Sequence, residues 1–76
     1  MNKIFQFEYI HQTSYTDTDW GMSFGWRDGL HFYTDYFADT NEIVLNCWKD
    51  KTQLFTNWSN DYNQIEEWIK KLIDEN

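Results

Sequence analysis

Asp28-Gly29 stands between two ring-bearing runs, Trp20-Gly21-Met22-Ser23-Phe24-Gly25-Trp26 and Leu30-His31-Phe32-Tyr33-Thr34-Asp35-Tyr36-Phe37. The tight hairpin turn of type I′ needs positive φ at both central residues, and Asp-Gly meets that need at the least steric cost. The chain therefore contains a β-hairpin, and an antiparallel sheet is the frame on which everything else must be hung. A loop of Asp28 and Gly29 alone sets the register. Arg27 then faces Leu30, Trp26 faces His31, Gly25 faces Phe32, Phe24 faces Tyr33, Ser23 faces Thr34, Met22 faces Asp35 and Gly21 faces Tyr36. In this register both strand glycines lie opposite rings, an arrangement that compensates for glycine in a strand, and His31 stacks across from Trp26.

The rest of the chain supplies partners for the hairpin. Residues 3–11 alternate, with Phe5, Phe7, Tyr9 and His11 on one face and Ile4, Gln6, Glu8 and Ile10 on the other. Gln12 to Thr18 is polar and hydroxyl-rich and reads as a loop. Further strands are expected at 19–27, 30–37, 42–48 and 52–57, with Ile43, Leu45 and Cys47 on one face of the fourth. The tail reads as a helix over 61–74. Ile65, Trp68, Ile69, Leu72 and Ile73 recur at helical spacing, Glu66–Lys70 and Glu67–Lys71 stand at i,i+4, and Ser59, Asn60 or Asp61 can cap the helix, Asp61 having Gln64 at the spacing of a capping box. Short consecutive connections make a meander. The expected fold is α+β: a four- to five-stranded antiparallel meander with one C-terminal amphipathic helix on one face, in two layers and one domain of 76 residues.

A helix of about thirteen residues is roughly 20 Å long and can cover one face of such a sheet, not both. Aromatic residues make up 21% of the chain and outnumber Ile, Leu and Val together. Rings are therefore expected on both faces. The small residues Gly21, Ser23 and Gly25 form a shallow floor on which Trp68 could rest, so the helix is expected on the glycine side. The face bearing Trp20, Met22, Phe24 and Trp26, joined by Tyr33 and Phe37, would then stay open. An open aromatic patch of that size marks a partner site.

The formal net charge is −7. Most of the imbalance precedes Lys49, where Glu8, Asp17, Asp19, Asp28, Asp35, Asp39 and Glu42 are answered only by Lys3 and Arg27. That balance argues against direct binding to nucleic acid or to an anionic membrane, and it draws basic partners. No apolar run approaches a membrane span. The start of the chain breaks its apolar stretch after Ile4-Phe5, where a secretory signal needs roughly 7–15 apolar residues. Together with a lone cysteine, Cys47, this reads as a cytoplasmic protein.

Residues for catalysis or metal binding do not form a pattern. Asp17-Thr18-Asp19 begins like a calcium loop, but Gly21 comes one position early and Asp28 stands where a longer Glu belongs. Short polar side chains holding a loop turn explain the segment better. His11 and His31 lie on different strands with no ligand spacing. Cys47 fits as a small hydrophobe within a strand. No cofactor, metal or catalytic residue is expected, and the chain reads as a binder and not as an enzyme.

The expected function is stoichiometric inhibition of a basic, nucleic-acid-handling protein, with carboxylates standing where phosphates would lie and rings where bases would lie. In size and composition the chain resembles phage anti-defence proteins, anti-CRISPR and anti-restriction proteins among them, and nuclease immunity proteins. The expected partner-binding carboxylates are Glu8, Asp17, Asp19, Asp35, Asp39 and Glu42, and the expected aromatic anchors are Trp20, Phe24, Trp26 and Tyr33. The competing expectation is a structural homodimer that buries its aromatic sheet face.

Overall fold

The computed structural model describes residues 9–14, 16 and 18–76. It contains strands β1 (Tyr9–Ser14), β2 (Trp20–Gly25), β3 (Leu30–Phe37), β4 (Glu42–Lys49) and β5 (Thr52–Ser59), followed by helix α1 (Tyr62–Glu75). The strands form one sheet in sequence order with every neighbour antiparallel. This is the five-stranded meander with one C-terminal helix that the sequence predicts. The reading of residues 3–8 as the start of the first strand lies outside the described residues. Gln12, Thr13 and Ser14, read above as loop, continue β1 and pair with Met22, Gly21 and Trp20. Their hydroxyl-rich composition reflects an exposed strand end, not a break in the ladder.

The Asp28-Gly29 turn forms, but the register it was expected to impose does not. Asp28 and Gly29 have φ of 59° and 80°, and the Leu30 N–H donates to the Arg27 carbonyl at 3.2 Å, as a type I′ turn requires. The Trp26 N–H, however, donates to the Leu30 carbonyl at 2.8 Å. Trp26 and Arg27 thus both stand opposite Leu30. This is a β-bulge, and it moves the whole β2–β3 register by one residue. Phe24 lies opposite Phe32, Ser23 opposite Tyr33, Gly21 opposite Asp35 and Gly25 opposite His31. Gly25 does not face Phe32, Gly21 does not face Tyr36, and His31 does not face Trp26.

The slip decides where the core forms. Directly opposed residues share a face, so Phe24 joins Leu30 and Phe32, and through β4 it joins Cys47, Leu45 and Ile43. These residues, with Ile65, Ile69 and Leu72 of the helix, are the buried core. Leu30, Phe32, Leu45, Cys47 and Ile65 are each at most 1% exposed. Fully burying side chains such as Phe32 or Leu45 stabilises by roughly 1.5–3 kcal/mol each. The helix packs against β4 and β5, and Trp68 rests on Phe55, ring centroids 5.3 Å apart. It therefore covers the Phe24 side and leaves the glycine side open, the reverse of the sequence expectation. With the rings of β2 and β3 on one face, the widest apolar surface lies there, and the apolar stripe of α1 follows it.

Local hydrogen bonds fix the ends. Asp61 caps α1, its Oδ1 accepting the Asn63 N–H at 3.0 Å. Ser59 Oγ accepts the Asp61 N–H at 3.0 Å, the task that a capping box would give to the Gln64 side chain. Thr34, buried among apolar neighbours, donates its hydroxyl to the Met22 carbonyl at 3.3 Å. Among the described residues no buried side-chain polar atom lacks a partner.

Candidate partner-binding face

The face away from α1 is built from alternate residues of each strand. Gly21, Ser23 and Gly25 of β2 lie beside His31, Tyr33 and Asp35 of β3, and Asp35 and Phe37 lie beside Val44 and Glu42 of β4. Asn46 and Trp48 complete β4, and Val44 and Asn46 lie opposite Trp58 and Thr56 of β5. Tyr33 and Phe37 are each 40% exposed and Trp58 54%. The missing side chains of β2 leave a groove of about 360 Å³, lined by Thr13, Gly21, Met22, Ser23, Tyr33 and Asp35. The described residues of these rows include no Lys or Arg. Asp35 and Glu42 are half-buried on this face, and Asp39 is exposed in the Ala38–Asn41 turn that joins Phe37 to Glu42.

The expected carboxylates separate accordingly. Asp35, Asp39 and Glu42 come together around Phe37 at one end of the β3–β4 hairpin. Asp19 is half-buried and holds the structure: its Oδ1 accepts the Ala38 N–H at 2.8 Å, tying the β1–β2 connection to the β3–β4 turn. Glu8 and Asp17 lie outside the described residues. In the same connection Thr16 Oγ1 accepts the N–H groups of Thr18 and Asp19 at 3.2 and 2.9 Å, so a short polar side chain does hold the turn there.

Of the expected anchors, Tyr33 is on the open face. The other three are not, because the β2 face bearing them is the one the helix takes. Phe24 is 5% exposed and stacks on Phe32, centroids 5.7 Å apart. Trp20 is half-buried and stacks on Tyr36 at 5.6 Å. Trp26 packs against the core, with the Arg27 guanidinium carbon 4.7 Å from its ring centroid. Sequence reasoning missed Val44, Trp48 and Trp58. For the first two the signal was present, since placing Ile43, Leu45 and Cys47 on one face puts Val44 and Trp48 on the other. Trp58 was missed because the strand continues two residues past its expected end at 57.

Cys47 is fully buried, and burial pushes its thiol up to about 11, so it is a poor nucleophile. Among the described residues no group of three or more His, Cys, Asp or Glu could hold a metal ion. No described helix is long and apolar enough to cross a membrane. Comparison with protein-family models, with curated proteins and with solved structures finds no match to this chain.

Proposed function

We propose that the chain is a binding protein which inhibits a basic, nucleic-acid-handling partner by occupying its cationic surface in a one-to-one complex. The observation that carries this reading is the open sheet face, where Tyr33, Phe37, Asp35 and Glu42 stand together with no Lys or Arg in the described rows. Arginine is the residue best matched to such a surface. Its guanidinium pairs with carboxylates through a fixed fork of donors and stacks on aromatic faces. The groove beside Tyr33 and Asp35 gives a long cationic side chain room to lie along the sheet. The net charge of −7 adds long-range attraction and speeds association with a basic protein. The face serves recognition without chemistry, and the partner is silenced because its nucleic-acid groove is filled.

The test is capture of partners from bacterial lysate by the tagged chain, washed at low and at high salt, with bound proteins identified by mass spectrometry. The captured protein is then purified and titrated against the chain in the presence of its nucleic acid. The reading expects one basic nucleic-acid-binding protein, captured less well at high salt and displaced from nucleic acid at one chain per partner. A captured partner that is acidic, or that keeps its nucleic acid when saturated with the chain, contradicts it.

A further inference from the structure

β5 is the last strand of the sheet order, and no described strand lies beyond it. An edge strand presents a row of backbone donors and acceptors to any extended segment, and proteins blunt such edges with charge or proline. β5 reads Thr-Gln-Leu-Phe-Thr-Asn-Trp-Ser, with neither. The absence of charge is pointed in a chain carrying −7. It also carries two exposed large apolar side chains, Leu54 at 40% and Trp58 at 54% exposure.

We infer that β5 pairs antiparallel with β5 of a second copy of this chain, about a twofold axis through Thr56. Twofold symmetry leaves few registers. In an antiparallel ladder opposed residues share a face, and the axis stands normal to the sheet, so it must pass beside one residue of each chain. Centred on Phe55, Leu54 meets the partner's Thr56. Centred on Asn57, Trp58 meets the partner's Thr56 and Leu54 meets the partner's Asn60. Centred on Thr56, Leu54 meets the partner's Trp58, and Trp58 meets the partner's Leu54, so both exposed apolar side chains of each copy are covered by the same operation.

No charged residue lies within β5, so no like charges oppose each other across the axis. One choice of axis thus sets each copy's exposed apolar pair against the other's, which is the self-complementarity an isologous interface requires. The ladder has a bulge where Gln53 and Leu54 stand against Trp48. The Thr56-centred pairing uses residues 54–58, of which Phe55 to Trp58 are on the regular side of that bulge. The product is a continuous sheet of twice the width with both helices on one side, and the part of the open face around Tyr33, Asp35, Phe37 and Glu42 stays available in each copy for capture of a basic partner.

The experiment is size-exclusion chromatography with light scattering on the full chain from low to high micromolar concentration, with far-UV circular dichroism as the folding control. The expected result is a mass that rises from one chain to two. Trp58→Lys and Leu54→Glu each weaken the dimer at least about tenfold, and the double variant, which puts Lys opposite Glu across the axis, regains it. A single-chain mass at every concentration overturns the inference. So does a dimer that both single variants leave unchanged, since it would be held by another surface.

Discussion

Phe24 lies directly opposite Phe32, their rings stacked with centroids 5.7 Å apart and planes at 23°. Had the hairpin kept a plain two-residue loop, Phe24 would have met Tyr33, and Phe32 would have shared a face with the glycines. The bulge at Trp26–Arg27 brings the two phenylalanines onto one side, and the helix closes over them. Phe24→Ala is therefore expected to cost about 3–5 kcal/mol, enough to unfold much of a small domain. Trp26→Ala, at a half-buried position packed on the core, is expected to cost about 1–3 kcal/mol. Urea denaturation followed by circular dichroism measures both. A Trp26→Ala variant of unchanged stability would place that ring outside the core.

The opposite result is expected on the open face. Tyr33→Ala and Phe37→Ala remove side chains that are 40% exposed, and should change stability by less than about 1 kcal/mol. Each should weaken capture of the basic partner about tenfold or more, seen as a faster off-rate in surface plasmon resonance. A large loss of stability with unchanged binding would mean that these rings serve packing.

Gly29 sits at φ 80°, and a Cβ there would overlap the Asp50 carboxylate. Its carbonyl also accepts the Asp50 N–H at 2.9 Å, linking the two hairpin turns. Gly29→Ala should destabilise by about 1–3 kcal/mol, from the strained φ together with the displaced Asp50. Thermal melting of the variant beside Asp28→Ala, which lacks the overlap, separates the two causes.

The Cys47 thiol gives a pH signature. Burial raises it from 9.0 to about 11, so the native state holds its proton over a range where the unfolded chain has lost it. The native state then binds more protons than the unfolded state, and stability falls as pH rises from about 9 to 11. The contribution, present in full below pH 9, amounts to about 2–3 kcal/mol. Urea midpoints measured across that range should fall less steeply for Cys47→Ala than for the wild type. Equal slopes would mean that the native thiol ionises like that of an unfolded chain.

Much of this architecture can be read from residues alone. The helix was legible because its apolar spacing agrees with the run of capping residues at Ser59, Asn60 and Asp61, of which Asp61 is the cap, and the meander because each connection is short and polar. The β2–β3 register was not legible. Asp28-Gly29 specifies the turn, but whether one residue is inserted beside it depends on which rings gain burial under the helix, a tertiary choice that outweighs local turn chemistry. That single residue reversed the face assignment and moved Trp20, Phe24 and Trp26 from expected anchors to the helix-bearing side. Asp35, Glu42 and Tyr33 kept their place because the β3–β4 pairing carries no bulge. Asp19 was legible as a loop carboxylate, but its bond to Ala38 joins segments that only the folded sheet brings together.

The claim that the open face is the partner surface is tested most directly by making the same change of net charge on two different surfaces. Asp35→Lys/Glu42→Lys reverses two carboxylates on that face, and Glu67→Lys/Glu75→Lys reverses two on the exposed side of the helix. Affinity for the captured basic partner is measured for both at equal salt. The account predicts that the sheet pair loses at least about a hundredfold while the helix pair loses less than about tenfold. Equal losses would mean that net charge alone drives binding, and a greater loss for the helix pair would place the partner surface on the opposite side of the molecule.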